Sequence, residues 1–373
     1  MCFERLQYVV LRWVASTCIA FALLGCTQKP APPDAAPPAN LATEGLATPS
    51  PRDTQFRRGV SLGLFVSNPD PEYRRVLYAQ MLDEIAATGA TDLQLVIRWA
   101  QQDIHSHDLT RDPDRTAPDA LLGWVMDAAR QRKLRVFLMP IVHLNVRAKG
   151  HWRGTLEPTD LHAWWRAYTA FIEHYARLAQ RHQAALFAVG SELVSQERHR
   201  DRWLALILRV RKIFPGPLTY SANWDHFEPV HFWPALDVIG VTAYQPLSAT
   251  NDPDQATLQT GWRTFRQRLR RLQRREGKPY LLTEVGYPAN ADGARRPWDY
   301  RPRGAATPDL QTRCFRALFA EWHDDPHLAG LYVWNWFGTG GPSDPGYSPR
   351  ERGAEAVLRH WYLSPSAARS PGK

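Results

Sequence analysis

The chain has 373 residues, 44% of them hydrophobic, with 15 Trp and a formal net charge of +9. That apolar content at this length can bury a large core, in one barrel-sized domain or two ordinary ones. The positive charge comes from Arg far more than Lys and is scattered over helical stretches such as "RLRRLQRRE" (268–276). It reads as solvated helix faces and not as a nucleic-acid surface.

The N-terminus reads as an address. Arg5 and Arg12 precede an apolar run (14–24) that is too short for a transmembrane helix and ends in "LLGC". This resembles the lipobox of bacterial lipoproteins, which implies that residues 1–26 are a signal segment and that Cys26 carries the lipid. The expected location is then the bacterial cell envelope, with the membrane as a partner through the lipid anchor. Cys2 and Cys18 would leave with the signal. Cys314 would be the only mature thiol, so no internal disulfide can form. Residues 27–53 are rich in Pro and Ala and read as an extended tether. The domain is expected over 54–363, followed by a short tail at 364–373.

Within the domain, β-like runs alternate with helical patterns. The runs are 58–65, 91–99, 134–142, 184–190, 217–223, 236–244, 279–286 and 328–336. Most are continuously apolar, as parallel strands covered on both faces should be. The helices have readable ends. One begins at Pro71 and stops at Gly89; another follows Thr159 as N-cap, with Trp164, Trp165, Tyr168, Phe171, Ile172 and Tyr175 as its core stripe. Eight strands alternating with helices predict an α/β fold, a (β/α)8 TIM barrel. Only about a dozen residues separate runs five and six, so that crossover must be degenerate.

Active sites of such barrels lie at the C-terminal strand ends. The polar residues there are Arg98, Trp99, His143, Asn145, Ser191, Glu192, Asn223, Trp224, Asp225, Tyr244, Gln245, Glu284, Tyr287, Trp334, Asn335 and Trp336. Glu192 and Glu284 therefore end strands four and seven and face one pocket. Alone, Glu192 could be only a favourable charge in a first helical turn. The pair points to glycoside hydrolysis, in which one carboxyl protonates the leaving oxygen and the other attacks the anomeric carbon. Trp224, Trp334 and Trp336 can stack on sugar rings. Trp334 and Trp336 alternate along a strand, so one can face the lumen and the other the helices.

The set "VGSEL", "TEVGY" and "GLYVWNW", with the tail "GGPSDPGYSPRERGAEAVLRHWY" (340–362), resembles the clan A retaining glycoside hydrolases. Within that clan it is most similar to family 113, whose characterised members are β-mannanases. The resemblance covers most of residues 58–362. It implies Glu192 as acid/base, Glu284 as nucleophile, and Tyr244 as a hydrogen-bond donor to Glu284. It implies Arg98 beside the nucleophile, and His143 and Trp334 in substrate binding. Many clan members carry Asn before the acid/base to grip the sugar 2-hydroxyl. This chain has Ser191 there, with Asn223 an alternative donor.

The expected function is a retaining glycoside hydrolase acting on a β-linked polysaccharide, first β-1,4-mannan, as a monomer with no metal or organic cofactor. A non-catalytic carbohydrate-binding or structural barrel lipoprotein is the reading from another class. "DIHSHD" (103–108) contains a potential ligand set, but no matching ligands stand at other strand ends, and a surface loop is expected.

Overall fold

The computed structural model describes residues 56–65, 70–301 and 304–364. The signal segment, Cys26, the tether and all but the first residue of the tail lie outside the described residues.

Eight strands form: β1 Arg57–Gly63, β2 Asp92–Gln101, β3 Arg135–Leu144, β4 Leu186–Ser191, β5 Leu218–Ala222, β6 Ile239–Thr242, β7 Tyr280–Val285 and β8 Leu328–Val333. All pair in parallel with their chain neighbours, and β8 closes on β1. Alternate residues explain why the runs read as continuously apolar. In β2 and β3, Leu95, Ile97, Val136 and Leu138 join the core shared with the helices. Their neighbours Val96, Phe137 and Met139 join Leu186, Ala188, Leu281 and Tyr332 in a second cluster inside the barrel.

The helices are α1 Pro71–Ala87, α2 Asp119–Gln131, α3 Leu161–Arg181, α4 Arg200–Ile213, α5 Gln255–Glu276, α6 Pro308–Trp322 and α7 Gly353–Leu363. Pro71 opens α1 behind an Asp70 cap, as the sequence predicts. The α3 cap is Asp160 and not Thr159. The Asp160 carboxylate accepts from Ala163 N at 2.8 Å, while Thr159 Oγ1 turns away to donate to His105 O. The α3 stripe is buried throughout. Trp164 Nε1 donates to Gln101, and the Tyr168 hydroxyl donates to Val189 O, so the stripe anchors β2 and β4 from outside.

Between β5 and β6 only a 3-10 turn, Trp233–Ala235, replaces a helix. Four buried side chains, Phe227, Val230, Phe232 and Trp233, cover the strands there. Bulky aromatics thus supply the apolar area that a short connection cannot supply as a helix. Cys314 is fully buried in α6, where burial pushes its thiol pKa up, so it is a small core residue.

Candidate active site

The ends of β4 and β7 are both irregular. Ala188 pairs with Thr219, yet Ser191 pairs with Ser221, so β4 carries one extra residue. Glu192 follows at φ +55, its N–H donating to Ser221 O at 2.8 Å. Left-handed backbone is uncommon outside glycine and clusters at functional sites. In β7, Val241 faces Leu282 but Thr242 faces Glu284, again one residue extra. Leu282 belongs to the helix-side core, and strict alternation would send Glu284 the same way. The bulge re-aims it, as bulges at barrel rims do. Gly286 then lets the chain pass against β8, since a Cβ there would run into the Trp334 carbonyl.

Glu284 is 8% exposed and accepts a hydrogen bond from the Tyr244 hydroxyl at 2.8 Å. Its carboxyl pKa is pushed up to about 8, first by burial and then by the negative charge of Glu192, against the opposing pull of Arg153 and the Tyr244 hydrogen bond. The two carboxyls therefore act on each other across one pocket. Arg153, in a 3-10 turn after β3, stands 3.7 Å from Glu192 Oε2. Tyr347, from the closing tail, packs edge-on to Tyr244 with ring centroids 6.2 Å apart and donates its hydroxyl to Pro297 O. Buried Arg352 ties that tail to Gln311, whose amide donates to Tyr347 O.

The other predicted residues divide. His143, half-buried on β3, has its imidazole pushed down to about 4 by burial, then by Arg98, Arg147, Arg153 and Arg115, and is neutral at pH 7. Arg98 lies over the Phe65 ring at 4.7 Å and donates to Arg115 O. Asp112 also acts on its charge, and among the described residues no hydrogen bond or ion pair joins Arg98 to Glu284. Trp334 is half-buried and packs on the lumen cluster. Trp336 does not fit a substrate-binding role: it is 1% exposed, joins the helix-side core, and donates Nε1–H to Glu84 of α1 at 2.8 Å. Strand alternation assigns one Trp to each face, and Trp334 has the lumen side.

Ser191 is buried, and its hydroxyl finds no partner among the described residues. The Asn223 amide is held by Asp225 at 2.6 Å. Trp224 stacks on Trp298 at 5.4 Å and 18°. In the "DIHSHD" loop, Asp103 accepts from the backbone of His105 and Ser106 and so shapes its own turn.

Arg153, Tyr347, Trp298 and Tyr300 lie in loops, so inspection of strand ends could not find them. Glu197, five residues after Glu192, was also hidden. Burial pushes its carboxyl up to about 8, with Glu192 and Asp225 adding to the push against a hydrogen bond from Tyr220. Tyr220 in turn accepts from Leu193 N, bracing the turn that holds Glu192.

Solved structures share this barrel. A GH113 β-mannanase from Alicyclobacillus acidocaldarius, in complex with ManMIm, is 27% identical, with a TM-score of 0.74, over 83% of this chain and 98% of its own. Another GH113 β-1,4-mannanase is 23% identical, with a TM-score of 0.73, over 83% and 99%. A glycoside hydrolase family 5 mannosidase from Rhizomucor miehei, at 10% identity and TM-score 0.53 over 83% and 92%, shares the fold alone. No curated protein sequence matches the chain. Residues 66–343 match Glycoside Hydrolase Family 113, a span that contains both bulged strands and their glutamates. The chain thus belongs to glycoside hydrolase family 113.

Proposed function

We propose that this glycoside hydrolase cleaves β-1,4-mannan with retention of configuration, through Glu192 as acid/base and Glu284 as nucleophile. The observation that carries the reading is the pair itself, two mutually repelling carboxyls at the ends of β4 and β7 with Tyr244 bonded to one. Like charges that act on each other in this way cannot both ionise readily, so the pair holds one proton over a wide pH range. With substrate bound, the shared proton rests on Glu192 and Glu284 is ionised; Glu192 gives the proton to the glycosidic oxygen as the bond to the anomeric carbon breaks. Glu284 bonds to that carbon and forms a glycosyl-enzyme. Water, deprotonated by Glu192, then displaces Glu284. Tyr244 holds the attacking carboxylate by a charge-assisted hydrogen bond. Trp334 offers its exposed face to the sugar at the cleavage point. The similarity to the Alicyclobacillus β-mannanase supports mannan as substrate. The lipobox-like "LLGC" and the tether support display of the barrel at the cell envelope through Cys26.

The test is Glu284→Ala with and without azide. Turnover of manno-oligosaccharides should fall by at least about 10³-fold and recover in part with azide, giving an α-glycosyl azide. Near-normal turnover without rescue would overturn the assignment. Direct observation of the first-formed anomer by NMR must show β; α would exclude retention.

A further inference from the structure

Arginines crowd the rim of β2 and β3, beside the carboxylate pair. Arg98 leaves β2 two residues before Ala100, the register partner of His143. Arg147 follows β3, lies over the Tyr300 ring at 5.9 Å and donates to its hydroxyl at 3.0 Å. Arg153 and Arg115 complete a group of four that all act on the His143 imidazole. Several arginines elsewhere meet acids, as Arg209 meets Glu173 and Arg268 meets Glu228 on the outer helices. Here Arg153 has Glu192 and Arg115 has Asp112, but Arg98 and Arg147 form no ion pair among the described residues.

Arg98 is half-buried while Arg147 and Arg115 are exposed, and burial with the charges of Arg115 and Arg147 pushes the Arg98 pKa down against the pull of Asp112. Like charges gathered at such a rim attract a group of opposite sign. A neutral glycan supplies none. A guanidinium fork fits carboxylate and phosphate oxygens in pairs, and rings beneath Arg98 and Arg147 hold both planes in place. We infer that Arg98 and Arg147 form a subsite for an oxyanion substituent on the glycan, a uronosyl carboxylate or a sugar phosphate, next to the cleavage point. This deepens the proposed function and rests on it for the glycan backbone.

The test compares three β-1,4-manno-oligosaccharides of equal length: neutral, bearing one C6 carboxylate, and bearing one C6 phosphate. Hydrolysis is measured with wild type and Arg147→Gln, and binding by calorimetry with the Glu192→Gln variant, with and without Arg147→Gln. An anionic ligand should gain roughly tenfold in kcat/KM and in affinity, the worth of one hydrogen bond to a charged group. The gain should shrink with added salt and vanish in Arg147→Gln, with neutral hydrolysis unchanged. Which anion gains more separates carboxylate from phosphate. Hydrolysis of the neutral ligand with no anionic gain overturns this inference and leaves the mannanase reading intact. Arg147-dependent anion binding without hydrolysis of any ligand by wild type keeps the inference and overturns the mannanase reading. Neither binding nor hydrolysis overturns both.

Discussion

The two ends of the barrel treat buried carboxylates in opposite ways. At the N-terminal end of β2, Asp92 is fully buried and meets Arg57 at 2.8 Å and Arg135 at 2.5 Å, with the Thr91 hydroxyl at 2.7 Å. At the C-terminal end, Glu284 has a tyrosine hydroxyl and, across the pocket, another carboxyl. The first arrangement cancels the desolvation penalty and holds three strands together. The second leaves the penalty standing, so the carboxyl favours its protonated form. A buried acid with a full set of partners is structural here. Glu284, short of positive charge, is the acid to which the proposed function gives a chemical role, whereas Glu197, also raised by burial, braces a turn through Tyr220.

The largest expected effect is at the deficient end. Glu192→Gln should lower kcat on mannan by about 10²–10⁴-fold, the usual worth of a positioned acid/base. Thermal stability should hold or rise, because a repulsion is removed. A large drop in melting temperature would erase the contrast between the ends. Next comes the paired end. Asp92→Ala should cost about 3 kcal/mol of stability, the low end for a broken buried pair because Arg57 and Arg135 keep part of their guanidinium in water. Denaturant titration measures that loss, and kcat of the folded fraction should stay within about twofold because the chemistry lies at the other rim. Loss of turnover without loss of stability would contradict it.

How much of this was legible in the sequence follows the same division. Continuous apolar runs announced all eight strands, because each has both faces covered, and the short β5–β6 crossover was visible as a count of residues. Glu192 and Glu284 were legible as acids at strand ends. Their aim was not, since it depends on one extra residue in each strand and a left-handed φ at Glu192, which pattern alone does not reveal. Loops were the blind region. Arg153 and Tyr347 reach the pocket from segments whose course no periodicity fixes. Trp336 was named with Trp334 because composition cannot say which of two alternating residues faces the lumen; the Glu84 partner settles it.

Tyr244→Phe sharpens the comparison from within the pocket. It removes the hydroxyl bonded to Glu284, and a hydrogen bond to a charged group is worth roughly 10- to 100-fold in rate. The pH profile gives the sign. The raised pKa of Glu284, about 8, marks the loss of the pair's last proton, so kcat/KM of wild type should fall as pH rises through that value. Tyr244 pulls this pKa down, so its removal moves the alkaline limb to higher pH. The same shift affects stability. A carboxyl with a raised folded pKa contributes stability that is complete below the unfolded value and is lost as pH rises through the folded one. Glu284→Gln should therefore gain stability relative to wild type towards pH 8 and above. A limb that moves to lower pH in Tyr244→Phe would mean that Tyr244 does not favour the ionised carboxylate.

The smallest effect separates two tryptophans. Trp298 is 44% exposed and stacks on Trp224 at the rim; Trp336 is 1% exposed and bonded to Glu84. A stacked, solvent-facing indole can meet a sugar ring away from the bond being broken, and binding of that kind is the same in ground state and transition state. Trp298→Ala should then raise KM about 3- to 10-fold with kcat unchanged, in line with the ~0.5–1.5 kcal/mol of an aromatic contact, and leave the melting temperature nearly unchanged. Trp336→Ala should do the reverse, lowering stability by about 3–5 kcal/mol through the cavity it leaves and the lost bond to Glu84, which keeps Arg350, with KM of the folded enzyme unchanged. Steady-state kinetics on manno-oligosaccharides of increasing length decide the first half: the KM penalty for Trp298→Ala must appear only once the chain is long enough to reach the rim. A penalty of equal size on the shortest cleaved substrate would place Trp298 at the cleavage point itself.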